Sequence, residues 1–326
     1  MEAEASPGAR AAAPPLRDRL PVMGVPVDFE AMDSTLLVAV HDWLGAGGGP
    51  SGEPVGSSGP VRVPRIRLSL ENLDTHGDAP PAFRDVAPEA LEIRGPGFHG
   101  RADATTLHAD CSLAPTVLAN RQRFEESVLA TLTLFLVTRM DRQPFHAAGI
   151  ARGGRALLLA GPSGAGKSTL AFAAMRQGWT VLADDAVYLQ THPAVRLRAA
   201  PGKLHLSPDA ARWFDELAGL SPVLRGNGSA KIPIALAAAG HEPPEVGQAI
   251  LCLLQPGAGP PDARPVDSGP AIAALLRNLD PGFDVFRNTV GAPLRALVRD
   301  DVWTVRTGSD PRLTVGVLER ILGHAP

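Results

Sequence analysis

Hydrophobic positions change period several times along this 326-residue chain, and each change marks an element. Leu157, Leu158 and Leu159 form a short continuous apolar run closed by Gly161, the pattern of a strand covered on both faces. Leu170, Ala171, Ala174 and Met175 follow at helical spacing and predict a helix from Ser168 to about Gln177, with Gly178 as its stop. Trp179 to Ala183 is then read as a strand that ends in Asp184 and Asp185.

The flanking regions are read the same way. Val22 to Phe29 suggests a strand, and Asp33 or Ser34 can cap a helix over Thr35 to Leu44, ended by Gly45. Val61 to Leu70 alternates over most of its length as a half-buried strand does, with further strands expected at Leu91 to Arg94 and Thr105 to Cys111. A helix from about Asn120 to Met140 follows. After the aspartates, strands are expected from Ala186 to Leu189, Val195 to Ala199, Ala249 to Leu254 and Val302 to Arg306. Helices are expected from Ser207 to Leu217, Pro270 to Leu279, Asp284 to Val298 and Leu313 to Leu322. Strands and helices alternate, so the class is α/β. The expected organisation is a disordered tail over 1–20, a smaller α+β region over 21–140, and a nucleotide-binding catalytic domain over 141–326.

Composition narrows the function classes. A net charge of −3 without a basic block argues against nucleic acid as a partner. The longest apolar stretch, Val128 to Val137, is about half of a membrane span. Gly45 to Pro60 reads as a flexible loop by composition. Cys111 and Cys252 lie far apart among apolar residues and read as reduced core thiols of a cytoplasmic protein.

The chemistry sits between Gly161 and Thr169. Gly161, Pro162, Ser163, Gly164, Ala165, Gly166, Lys167, Ser168 and Thr169 satisfy the phosphate-loop spacing GxxxxGK[ST]. Its glycines let a phosphate approach backbone N–H groups, and the helix opening near Lys167 points its unpaired donors at the anion. Lys167 is then expected to reach the β- and γ-phosphates of ATP, and Ser168 to ligate Mg²⁺. Asp184 and Asp185 fall where one carboxylate can hold the metal and the other can take a proton from an attacking hydroxyl. Only three lysines occur among 31 basic residues, which singles out Lys203 and Lys231 as candidate phosphate contacts beside Lys167. Arg225, next to Gly226 and Gly228, can reach over a nucleotide.

Taken together, His146-Ala147-Ala148-Gly149-Ile150, the phosphate loop, and Val181-Leu182-Ala183-Asp184-Asp185-Ala186-Val187 resemble the catalytic core of the HPr kinase/phosphorylase family, over roughly residues 143 to 190. The resemblance implies a fold of the phosphoenolpyruvate carboxykinase type. It also implies ATP with Mg²⁺ as cofactors and transfer of the γ-phosphoryl group to a serine hydroxyl. By position, His146 would approach the transferred group, Asp184 would be the metal partner and Asp185 the base. The family's hexamers make a homo-oligomer an expectation of the resemblance.

The chain departs from the family at Thr169, where HPr kinases carry glutamate, and it lacks their Gly-rich segment downstream of the aspartates. HPr as acceptor and the reverse phosphorylase reaction are therefore not carried over. The layout is closer to the HPr-kinase-like enzymes that tailor ribosomal peptides, such as lasso-peptide kinases, so a peptide or small protein is the expected acceptor. A small-metabolite phosphate-loop kinase and a nucleotide-binding regulator are the alternatives.

Overall fold

A computed structural model describes residues 14–44, 62–76, 81–87, 89–200, 202–225, 228–236, 246–279, 283 and 286–324. The loop expected over 45–60 and the first 13 residues of the expected tail lie outside the described residues. The rest of that tail is not a tail, because β1 (Leu16–Val22) pairs antiparallel with β2 (Val25–Ala31). Met23 and Gly24, both at positive φ, turn the chain between them. The strand expected from Val22 to Phe29 is therefore two strands of a hairpin.

Helix α1 (Ser34–Leu44) begins where expected, with Asp33 Oδ1 accepting from the Thr35 N–H at 2.8 Å. Five strands follow: β3 (Arg65–Leu70), β4 (Ala82–Ala87), β5 (Ala90–Gly95), β6 (Phe98–Asp103) and β7 (His108–Leu113). They complete a seven-stranded sheet ordered β1-β2-β3-β7-β6-β5-β4. The strand expected from Thr105 starts only at His108, because Asp103 Oδ1 takes the N–H groups of Thr105 and Thr106 and turns the chain first. Alternation decides which face is covered. Ile66, Leu68, Ala109, Cys111 and Leu113 are buried, while Arg67, Asp110 and Ser112 between them face the other way.

The helix expected from Asn120 to Met140 is built in pieces. After α2 (Pro115–Ala119) come α3 (Arg121–Arg123), a π-helical segment Phe124–Ala130, and α4 (Thr131–Val137). Val128, Leu129, Leu132 and Leu136 pack with α1 on the apolar face of the sheet.

The second half is organised on a six-stranded sheet. It uses β9 (Ala148–Arg152), β10 (Arg155–Ala160), β11 (Thr180–Ala183), β17 (Ala249–Pro256), β18 (Asp262–Pro265) and β19 (Val302–Thr307), in the order β11-β9-β10-β17-β19-β18. The helices α5 (Lys167–Arg176) and α8 (Pro311–His324) pack on one face. On the other lie α6 (Ser268–Arg277) and α7 (Arg287–Val298). Leu157 and Leu159 enter the first cluster and Leu158 the second, which is why this strand reads as an unbroken apolar run. The predicted helix from Ser207 is instead two short 3-10 turns, Pro208–Arg212 and Asp215–Leu217.

Two small sheets are also present among the described residues. One has the order β13-β12-β8, from β13 (Arg196–Arg198), β12 (Val187–Gln190) and β8 (Arg142–Phe145). The other joins β14 (Lys203–Leu206), β16 (Ala230–Ala235) and β15 (Val223–Leu224). Cys111 and Cys252 are free and buried, and burial pushes the Cys111 thiol up to about 12. Among the described residues, no helix is long and apolar enough to cross a membrane.

Candidate active site

Register brings three loops to one edge of the six-stranded sheet. β9 runs antiparallel to β10, with Ala148 opposite Leu159, and antiparallel to β11, with Gly149 opposite Ala183. The carboxyl ends of β10 and β11 and the amino end of β9 therefore coincide. The phosphate loop, Asp184 with Asp185, and His146 leave the sheet from this edge. The expectation of an aspartate pair beside the phosphate loop holds, with an antiparallel strand between the two that the sequence did not announce.

The loop itself is held open by backbone geometry. Gly164 and Gly166 have φ of 82° and 90°, which side-chain-bearing residues rarely adopt, and Gly166 stands at the amino end of α5. Lys167 is buried, and its Nζ donates to the carbonyl oxygens of Gly161 at 2.8 Å and Pro162 at 3.3 Å. The ammonium is thus folded back along its own loop. The Ser168 hydroxyl donates to Asp184 Oδ1 at 2.8 Å.

The two aspartates sit in unlike surroundings. Asp184 has only 1% of its side chain exposed, and its Oδ2 also accepts the His205 backbone N–H at 2.8 Å. Burial, and then the negative charge of Asp185, raise its pKa above the ordinary carboxylate range, against the opposing pull of the His205 N–H and the Ser168 hydroxyl. Asp185 has a φ of 60°, a left-handed conformation aspartate tolerates better than most residues. This turn sends the chain into β12, which starts at Val187 and belongs to a different sheet. Asp185 keeps 47% of its side chain exposed and pairs with Arg225 Nη1 at 3.1 Å.

Ser168 and the two carboxylates are hard oxygen donors of the kind Mg²⁺ takes. Asp184, Asp185 and His205 offer ligand atoms within 4.8 Å of one another. A carboxylate pair in which burial and a like charge raise one member is an arrangement a divalent cation relieves. The residues present fit a magnesium-bound nucleotide.

The remaining candidates divide. His146 lies at the shared edge, its ring 5.0 Å from that of Phe283. Lys203 Nζ meets Glu125 Oε2 at 2.8 Å, and Lys231 Nζ meets the Ser207 hydroxyl at 3.1 Å, so the structure gives both lysines protein partners. Three residues entered the site unannounced. His205 stands two places beyond Lys203 on β14, and its Nε2 lies 3.6 Å from Glu126 Oε1. Glu125 and Glu126 come from the π-helical segment of the first half. Hydrogen bonding from the His205 imidazole, and then the positive charge of Arg225, hold the Glu126 carboxyl below its usual range against the effect of burial. Neither His205 nor the two glutamates belongs to a motif, so no local signal in the sequence singled them out.

Fold and site together define a mixed α/β protein carrying a phosphate-loop motif at a sheet edge. No protein-family model matches the sequence, and no curated protein is similar to it. Among solved structures, the Hpr(Ser) kinase/phosphatase from Coxiella burnetii is similar in part, at 18% identity and a TM-score of 0.21, over 34% of this chain and 65% of that one. The similar part thus spans less than two thirds of that protein's own length.

Proposed function

We propose that this protein is an ATP-dependent kinase that transfers the γ-phosphoryl group of ATP to a serine hydroxyl of a small protein or ribosomal peptide. The observation that carries the reading is the contact between Ser168, at the end of the phosphate-loop motif, and Asp184, at the end of the strand two places away in the sheet, at 2.8 Å. It supports the reading because it brings a hydroxyl and a carboxylate, both oxygen donors, together beside the phosphate-loop motif.

On this reading the main-chain N–H groups of Ser163, Gly164 and Gly166 and the Lys167 ammonium take the phosphates, so Lys167 exchanges its own loop carbonyls for phosphate oxygens. Magnesium-bound ATP, when present, supplies the transferable phosphoryl group with part of its charge neutralised. Ser168 and Asp184 would hold the metal, and the burial of Asp184 suits a residue that never meets the acceptor. Asp185, half exposed and oriented by Arg225, would accept the proton of the attacking hydroxyl. His146 would border the transferred group from the start of β9.

The test is transfer from γ-labelled ATP with Mg²⁺ to serine-containing peptides. Asp185→Asn is expected to lower the rate by about 10²- to 10⁴-fold and leave nucleotide affinity largely intact. Unimpaired transfer by this variant would remove the base assignment. Transfer only to free small hydroxy compounds would favour the metabolite-kinase alternative, and tight nucleotide binding without consumption would favour the regulator.

A further inference from the structure

The open face of the seven-stranded sheet carries charges in register. Arg17 stands opposite Glu30, Glu30 opposite Arg67, Arg67 opposite Asp110, Asp110 opposite Arg101, Arg101 opposite Glu92, and Glu92 opposite Arg84. The sign alternates at every strand, and the row ends in arginine at both edges.

The two halves of this row differ. On the β1 side it is closed: Glu30 takes Arg17 and also Arg67, the latter at 3.1 Å, and Arg67 lies 3.9 Å from Asp110. On the β4 side it is open. The side chains of Arg84, Arg101 and the neighbouring Arg94 make no hydrogen bond or ion pair with another described residue, Arg101 acting on Asp103 through its charge alone. They line a groove of about 620 Å³, in which Arg67, Arg84, Arg94 and Arg101 outnumber the carboxylates of Glu92 and Asp110.

The sheet edges differ in the same sense. Edge strands invite a further strand unless something blocks them. β1 has Pro21 within it, and its Arg17 and Arg19 are clasped by Glu30 and Asp28. β4 contains no proline and pairs evenly with β5 from Ala82 to Asp85 before its register shifts towards Ala87, and its Phe83, opposite the buried Ile93, is 52% exposed.

We propose that the β4 edge binds an acidic, extended peptide segment, which adds as an eighth strand. Its acidic residues, at every second position, would meet Arg84 and reach Arg94, continuing the alternation of sign. The residues between them would be apolar and would cover Phe83. Main-chain pairing supplies binding energy and the arginines supply selectivity. A second copy of this chain fits less well, since its own row also ends in Arg84. Capture itself does not depend on the kinase reading; that the captured segment belongs to the phosphoryl acceptor does.

The experiment uses the full chain without nucleotide and two fluorescent decapeptides, one alternating Glu with Val and the other Lys with Val. The Glu peptide is expected to bind and to slow amide exchange over 82–87, and the Lys peptide is not. Arg84→Glu with Arg94→Glu should lower affinity for the Glu peptide by about ten-fold or more and favour the Lys peptide. Circular dichroism and Arg84→Gln with Arg94→Gln, expected to give an intermediate loss, guard against a folding defect. No binding, binding indifferent to the charge reversal, protection confined to another strand, or a β4-dependent dimer in sedimentation that excludes the peptide would each overturn the proposal. Peptide capture is read separately from phosphoryl transfer, so either can fail alone.

Discussion

The Ser168 hydroxyl and Asp184 Oδ1 are 2.8 Å apart although they lie 16 positions apart in the chain, and the other oxygen of the same carboxylate holds the His205 N–H. Asp184 thereby ties the first turn of α5 to β14. A carboxylate fixed by two donors and nearly excluded from water is held in one orientation.

Lys167 is the residue whose loss should be felt first. A charge-assisted hydrogen bond contributes about 1.5–3 kcal/mol, so Lys167→Met should weaken ATP binding by about ten- to a hundred-fold. Calorimetric titration with the non-hydrolysable nucleotide measures this, and thermal unfolding of the variant separates a binding effect from a folding one.

Lys203 tests whether sparse lysines mark phosphate contacts. Glu125, 8% exposed at its side chain, is shared by Lys203 and Arg121. Lys203→Met leaves it one partner short and should cost about 1–2 kcal/mol of stability, read as a lower urea midpoint, with nucleotide affinity nearly unchanged. An affinity loss matching that of Lys167→Met would return Lys203 to the phosphates.

Gly166 needs its φ of 90° at the amino end of α5. An added Cβ meets no neighbouring atom, so Gly166→Ala isolates backbone strain from crowding. A penalty of about 1–2 kcal/mol, together with weakened nucleotide binding as the loop relaxes, is the expected outcome by chemical denaturation and titration.

Acid should loosen the first half through Asp28 and Glu30. The hydrogen bond from Arg19 holds Asp28 below its ordinary 3.8. Burial raises Glu30, but the bonds from Arg17 and Arg67 outweigh it and leave it below 4.5. For a depressed carboxylate the unfolded chain binds the proton more readily. The stabilisation is therefore complete above those ordinary values and lost as pH falls through the lower folded ones. Urea midpoints measured from pH 7 to pH 2 should drop over that window, and Arg19→Met should make the drop shallower.

Much of the site was legible because it is local. Gly164, Gly166 and Lys167 announce themselves by spacing, the leucines of β10 by an apolar run, and Gly178 by the stop it imposes at φ 83°. The strands that escaped notice, β1, β4, β6 and β14 among them, mix polar with apolar positions so that no period stands out over a few residues, while β9 is five residues built largely of alanine and glycine. The 3-10 turns after Ser207 show the opposite failure, in which a good helix start was not sustained by an apolar stripe.

By itself, the sequence determined the phosphate loop, the helix behind it and the strand that ends in two aspartates, since short-range sterics and hydrophobic period set each of these. Only the tertiary structure decided that β9 lies antiparallel between β10 and β11, that Lys203 turns to Glu125, that the His205 N–H reaches Asp184, and that charges on seven strands fall into one alternating row. Those relationships depend on register between segments far apart in the chain, and register is fixed by which faces can be buried together, a property no single segment carries.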